Sequence, residues 1–155
     1  MRGDFEVGYF SVLEIDCAPM DPIETIPEHI TVIKFKYDSG FNSPIDKLHK
    51  KVIVLELNSI FNQPLDNLSP KLKRLIIGSS FNQPLDNLPV SLNKLVVGDS
   101  FKRSLDFLPV GLKHLELPVG YNQPLDNLPS GLEYLKIDWC YDKPLNNLPE
   151  GLKIL

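Results

Sequence analysis

Carboxylates recur along the chain at a regular spacing that could build a metal site. They stand twenty residues apart, at Asp46, Asp66, Asp86, Asp106 and Asp126, and Asn146 ends the series. Calcium needs six to eight oxygens around one point, whereas equally spaced carboxylates each belong to a separate structural unit. We therefore predict no metal site, and we expect each aspartate to cap local N–H groups in a turn.

Nucleophiles and bases are too scattered to form a catalytic site. His29, His49 and His114 have no nucleophile or carboxylate at a recognisable spacing, and no glycine-rich loop could bind phosphate. Cys17 and Cys140 are too far apart for a zinc motif or, in an elongated fold, for a disulfide. The sequence therefore predicts a non-enzymatic protein with no cofactor and no small-molecule substrate, whose thiols are reduced in the cytoplasm.

The charge and hydropathy of the chain exclude two further classes of partner. The formal net charge is −4, which provides no general attraction to nucleic acid or to anionic lipid. No apolar run is long enough to span a bilayer, and no secretory leader is recognisable. We therefore predict that the chain binds neither nucleic acid nor membranes.

A strict internal repeat determines the predicted fold. The phrase FNQPLDNL begins at residues 61 and 81, and YNQPLDNL begins at residue 121. An aromatic residue opens every unit, at Phe41, Phe61, Phe81, Phe101, Tyr121 and Tyr141. Leucine-rich columns repeat at the same spacing, so each column can stack on its copy in the next unit. The sequence predicts a mainly β, leucine-rich-repeat-like, right-handed solenoid with 20-residue coils.

Within each coil, one segment has the pattern of a strand. Leu75 and Ile77 are apolar residues at alternating positions, which is strand periodicity. Strands of successive coils must run in the same direction, so we predict a parallel sheet on the concave face. The proline-containing phrase is predicted to return along the convex side as extended chain or short 3-10 segments.

The ends of the chain depart from the strict repeat. Residues 1–18 are interpreted as an N-terminal cap or a divergent first strand, and residues 19–155 as the solenoid. Two extra residues near 37–40 lengthen one coil to about 22 residues, and the last coil is incomplete.

Two further sets of equivalent positions lie immediately before and after the aromatic residue of each coil, where the chain turns a corner. Asparagines follow the aromatic residue at positions 42, 62, 82 and 122, and we expect their amides to form a ladder that satisfies backbone groups at the bend. The small residues Ser80, Ser100, Gly120 and Cys140 precede it, and we interpret them as tight packing. Spacing alone leaves open which column, small or aromatic, faces the interior.

The repeat resembles the FNIP repeat family, whose signature is an FNxP start followed by LPxxLxxLx(F/I)G. The match is close over residues 41–155 and loose over 19–40. The family is known mainly from social amoebae and giant viruses and is related to leucine-rich repeats. Its members often carry an F-box, so the resemblance implies a substrate-recognition role in a ubiquitin-ligase-type adaptor. Residues 1–40 do not resemble an F-box.

The residues between the buried strand positions point outward, where a protein partner of unknown identity is expected to bind. These positions vary from coil to coil while the leucine columns do not. Arg74, Lys94 and His114 are predicted to form a basic stripe across three strands, and Tyr134 and Trp139 provide aromatic groups typical of binding hot spots. The predicted function is a protein-protein interaction module. The alternative is a structural repeat expansion without a specific partner.

Overall fold

The computed structural model describes residues 11–16 and 22–154, and it is one parallel β-solenoid. The strands are β1 (Ser11–Ile15), β2 (Ile30–Phe35), β3 (Val54–Glu56), β4 (Arg74–Ile76), β5 (Lys94–Val96), β6 (His114–Glu116), β7 (Tyr134–Lys136) and β8 (Lys153–Ile154). They form a single eight-stranded sheet in sequence order, in which every neighbouring pair is parallel. The predicted mainly β, leucine-rich-repeat-like fold is confirmed.

The register of the sheet reproduces the spacing of the sequence. Leu75 pairs with Leu95, and Leu95 pairs with Leu115, which are steps of 20 residues. Between β2 and β3 the step is longer, because Ile33 pairs with Leu55. The predicted 22-residue coil is therefore present, and its extra residues lie outside the strands.

The interior is formed by the central residue of each strand and by the apolar columns of the return segment. The central strand residues are completely buried, at Ile33, Leu55, Leu75, Leu95, Leu115 and Leu135. They belong to one continuous apolar core that extends from Ile23 to Leu135. Since each coil alone is too thin to enclose a core, the stacking of coils is what removes these side chains from water.

The aromatic column faces inward. Ring centroids of successive members lie 6.0 to 6.4 Å apart from Phe61 to Tyr121, with nearly parallel planes. The small column before it is exposed at Ser80, Ser100, Gly120 and Cys140, so its interpretation as a packed corner is wrong. There the backbone, rather than the side chain, contacts the next coil: Ser100 N donates to Ser79 O at 2.8 Å.

The return segments are extended chain with short turns, as predicted. Within the described residues, the one helical element is the 3-10 turn Ile23–Thr25, in the divergent coil before β2. No helix in residues 11–16 and 22–154 is long and apolar enough to cross a membrane.

The first strand extends the sheet by one member at the N-terminal side. β1 pairs with β2 along its whole length, with an irregularity between Ser11 and Val12. The prediction of a cap over residues 1–18 otherwise falls mostly outside the described residues, as does Cys17.

The predicted asparagine ladder is present at the bend after the aromatic column. The backbone N–H of Asn62 donates to Asn42 Oδ1 at 2.8 Å, and that of Asn82 donates to Asn62 Oδ1 at 2.9 Å. The N–H groups of Lys102 and Asp142 are satisfied in the same way by Asn82 and Asn122. Each side chain therefore satisfies a donor of the next coil at the point where strand pairing has ended.

The aspartate column has a different role from the one predicted. Three of its carboxylates, those of Asp66, Asp106 and Asp126, accept hydrogen bonds from asparagine amides one coil further on. Asn87 Nδ2 donates to Asp66 Oδ1 at 2.8 Å, and Asn127 Nδ2 donates to Asp106 Oδ1 at 2.9 Å. The expected capping of local N–H groups by this column is wrong. The aspartates instead join neighbouring coils, because the repeat brings the next Asn side chain within reach.

Gly98 is required by the close approach of two coils. A Cβ atom at this position would lie 2.4 Å from the carbonyl oxygen of Gly78, a backbone atom that cannot rotate away. We expect Gly98→Ala to lower the free energy of unfolding by about 1–3 kcal/mol, as overpacking does. Urea denaturation followed by far-UV circular dichroism measures the change.

Gly131→Ala is the matched control for this substitution. A Cβ there would lie 3.2 Å from the flexible end of Lys113, which can move into solvent, and at an ordinary contact distance of 3.8 Å from the Val110 carbonyl oxygen. Its effect should be well below that of Gly98→Ala. Equal effects would show that the cost does not come from the close approach of the coils at Gly98.

Candidate protein-binding site

One row of outward side chains crosses the whole sheet. The parallel register aligns Val12, Val32, Val54, Arg74, Lys94, His114, Tyr134 and Lys153, one from each strand. We call this set the Arg74 row. It begins with three valines, continues with two cations and ends with two rings and a lysine, so its chemistry changes along the solenoid axis.

A second outward row lies two residues further along the strands. It aligns Glu14, Lys34, Glu56, Ile76, Val96, Glu116 and Lys136, and we call it the Glu56 row. The completely buried strand residues lie between the two rows and point to the core. Together the rows form the outward face of the sheet, which we call the sheet face; within it, the side chain of Val32 is covered by its neighbours and only 7% exposed.

The predicted basic stripe is present, but part of it is neutralised within the sheet face. Glu116 Oε1 accepts hydrogen bonds from Lys94 Nζ at 2.8 Å, and it lies 2.7 Å from His114 Nε2. The hydrogen bond from Lys94 lowers the pKa of Glu116, against the opposing effect of partial burial. The ring of His114 also stacks on Tyr134, with centroids 4.0 Å apart. These four side chains form one connected cluster.

Arg74 differs from the other members of the stripe because its charge is only loosely paired. Its Nη2 lies 3.7 Å from Glu56 Oε1, beyond hydrogen-bond distance, and the same oxygen lies 3.6 Å from Lys34 Nζ. Among the described residues, no hydrogen bond is donated by the Arg74 guanidinium. A planar group with five donors, almost half exposed, therefore faces solvent.

A shallow apolar groove adjoins Arg74. Its floor contains Val12, Val32 and Val54, and its volume is about 460 Å³. Glu14, Lys34, Glu56 and Arg74 form its charged margin, and Ile53 also lines it. We call the three valines and their margin the valine groove.

The valine groove was not among the site residues predicted from the sequence. The strict repeat weakens upstream of residue 41, and no outward positions were predicted there. The missing signal was the exact register of β1 and β2, which places Val12 beside Val32 and Val32 beside Val54.

Trp139 does not belong to the sheet face. It lies in the turn after β7, with 92% of its surface exposed, and it borders a different depression with Leu117, Val119 and Ile137. The prediction that it shares the concave surface with Tyr134 is wrong. The reason is that residue 139 falls in the turn after the strand phrase, where side chains no longer follow the alternation of the sheet.

The sheet face offers charged, aromatic and apolar side chains that can contact a partner protein. In residues 11–16 and 22–154, no group of three or more His, Cys, Asp or Glu side chains is arranged to hold a metal ion. Cys140 is an exposed free thiol away from the sheet, and local desolvation and the nearby Asp138 carboxylate raise its pKa. A raised pKa makes this thiol less nucleophilic at neutral pH.

Comparisons with known proteins agree with the repeat and with the fold. The sequence profile of the FNIP repeat matches residues 61–87 and 81–119. A solved structure similar to this chain is that of CroV588, a circular leucine-rich-repeat protein of a giant virus. The two share 27% sequence identity with a TM-score of 0.72, over 93% of this chain and 26% of the CroV588 chain. No curated protein matches the sequence.

Proposed function

We propose that this chain is a protein-protein interaction module that binds its partner on the sheet face. The support is the match of residues 61–119 to the FNIP repeat and the leucine-rich-repeat-like solenoid. Repeat solenoids of this type offer extended surfaces rather than enclosed pockets, and they generally serve as interaction scaffolds. The proposal concerns a protein partner in the cytoplasm, where the free thiol of Cys140 is stable.

The observation that carries the proposal is the exposed guanidinium of Arg74 beside the apolar floor of the valine groove. In a repeat selected only for stacking, outward positions would hold interchangeable solvated side chains. Here the Arg74 row instead groups its apolar, cationic and aromatic members. Arginine and tyrosine are among the residues enriched in binding hot spots, which favours an interaction module over a structural repeat expansion.

Charge reversal on the sheet face tests this function. We expect Arg74→Glu/Lys94→Glu to lose the proteins that the wild-type chain captures from lysate of its native cells, because both cations lie in the middle of the Arg74 row. Quantitative mass spectrometry of the captured proteins measures the loss. Far-UV circular dichroism and thermal unfolding establish that the variant is folded.

A second double variant separates the sheet face from net charge. Lys71→Glu/Lys102→Glu changes the charge by the same amount at two exposed residues outside the strands. It should capture the same proteins as the wild type. If the wild type and both double variants captured the same proteins, the sheet face would not be the contact surface.

As a finer proposal, the module is the substrate-recognition part of a ubiquitin-ligase-type adaptor. Its support is the resemblance to FNIP proteins that carry an F-box. Ubiquitin-ligase subunits are then expected in the same captures, and they should be retained by Arg74→Glu/Lys94→Glu because the substrate surface is a separate one. Capture of a partner without ligase subunits would contradict the adaptor role, while the proposal of an interaction module would stand.

A further inference from the structure

The sheet face carries a charge opposite to that of the chain as a whole. The eight strands contain five basic and three acidic side chains, a formal charge of +2 with His114 neutral, whereas the whole chain has −4. The basic members are Lys34, Arg74, Lys94, Lys136 and Lys153, and the acidic members are Glu14, Glu56 and Glu116. A positive face on an acidic protein attracts an acidic partner.

The hydrogen-bond donors of the Arg74 guanidinium remain available at the margin of the valine groove. Lys94 already donates a short hydrogen bond to Glu116, while Glu56 is shared at 3.6 to 3.7 Å between Lys34 and Arg74. Glu14 and Glu56 balance the formal charges of Lys34 and Arg74 at this margin. At 3.7 Å from Glu56, however, the Arg74 guanidinium makes no hydrogen bond to it, so its donors stay available beside an apolar floor. The fork of Arg74 donors fits a planar carboxylate, which can accept two of its hydrogen bonds.

From these contacts we infer that the sheet face binds an extended segment of a partner protein. This segment contains an apolar residue and an acidic residue a few positions apart in its sequence, in either order. The apolar side chain packs on Val12, Val32 and Val54, and the carboxylate pairs with Arg74. This inference rests on the proposed function and specifies the chemistry of the partner.

The strand spacing determines how far apart the two partner side chains stand. Neighbouring strands are about 4.8 Å apart, so the centre of the valine floor at Val32 lies about 10 Å from the Arg74 position. An extended peptide advances about 3.3 Å per residue. The apolar and acidic residues of the partner should therefore be two or three positions apart, given the length of the arginine side chain.

Selection from a random-peptide phage library on the immobilised full chain tests the inference. Peptides that pair an apolar residue with Asp or Glu two or three positions away should be enriched over the unselected library. A peptide from that pool, labelled with a fluorophore, then serves as the probe in fluorescence polarisation.

Binding of the probe should depend both on Arg74 and on the valine floor of the groove. Arg74→Gln is expected to weaken it at least about tenfold, because loss of one partner of a charged hydrogen-bonded pair acts on dissociation. Val12→Thr/Val54→Thr keeps the shape of the floor and should also weaken binding, by replacing methyl groups with hydroxyls. Lys71→Gln, the same loss of charge outside the sheet, should leave the affinity unchanged.

A double-mutant cycle identifies the proposed pair. Changing the acidic residue of the probe to its amide should weaken binding to the wild type but not further weaken binding to Arg74→Gln. Additive effects would overturn the carboxylate contact with Arg74. Enrichment of basic or purely apolar peptides, or a failure to select any peptide, would overturn the inference. The proposed function would then still be tested separately, by the capture experiment.

Discussion

Leu95→Ala is expected to lower the free energy of unfolding by about 2–5 kcal/mol. Leu95 is the central residue of β5, it is completely buried, and its register partners are Leu75 and Leu115. Truncation removes apolar contacts to both neighbouring coils and leaves a cavity that these rigidly paired strands cannot close. Urea denaturation followed by far-UV circular dichroism gives the value.

Val96→Ala provides the control within the same strand. Val96 is the next residue, it lies in the Glu56 row, and it is only partly buried. Its truncation should cost less than about 1 kcal/mol, since a side chain open to solvent leaves no cavity. If Leu95→Ala and Val96→Ala had similar effects, the assignment of the leucine column to the interior would be wrong.

Phe81→Ala is expected to be at least as destabilising, with a cost of about 3–5 kcal/mol. Phe81 is completely buried and stacks between Phe61 and Phe101, with centroid distances of 6.4 and 6.3 Å. Removal of one ring interrupts the aromatic column, so both neighbouring rings lose a contact face. The same denaturation measurement applies.

Phe107→Ala is a chemically identical change on the surface. Phe107 replaces the asparagine of other coils, and 68% of its surface is exposed. Its truncation should change the stability by no more than about 0.5 kcal/mol in either direction. A large cost at Phe107 together with a small one at Phe81 would contradict the inward orientation of the aromatic column.

The ladders of polar side chains explain why the return segments are uniform in sequence. Asn62 satisfies a backbone donor of the next coil, and Asn87 joins the carboxylate of Asp66 in the preceding one. These bonds connect nearest neighbours only, so the stability of the solenoid is a sum of coils and interfaces. The sheet face makes no such repeated bonds, and its residues are correspondingly free to differ between coils.

Much of the fold was determined by the sequence itself. A 20-residue period predicts which residues are neighbours in space. If every coil follows the same path, residues such as Phe61 and Phe81 must lie next to each other. The parallel sheet, the buried leucine columns and the asparagine ladder follow from that period and from the need to bury apolar columns and to satisfy backbone donors. The longer coil near residue 37 follows from the two extra residues that interrupt the period there. The positions of Arg74, Lys94, His114 and Tyr134 in one row follow from it as well.

The tertiary structure alone decided the orientation of columns and the pairing of charges. Spacing is identical for the aromatic and the small column, so only the path of the backbone at the corner shows that Phe81 points inward and Ser80 outward. Likewise, Glu116 neutralises Lys94 while Arg74 stays open, because side-chain reach across strands is a property of three-dimensional distance. The valine groove and the displacement of Trp139 into a turn have the same cause: periodicity specifies which residues are neighbours, and only the folded backbone specifies which way they face.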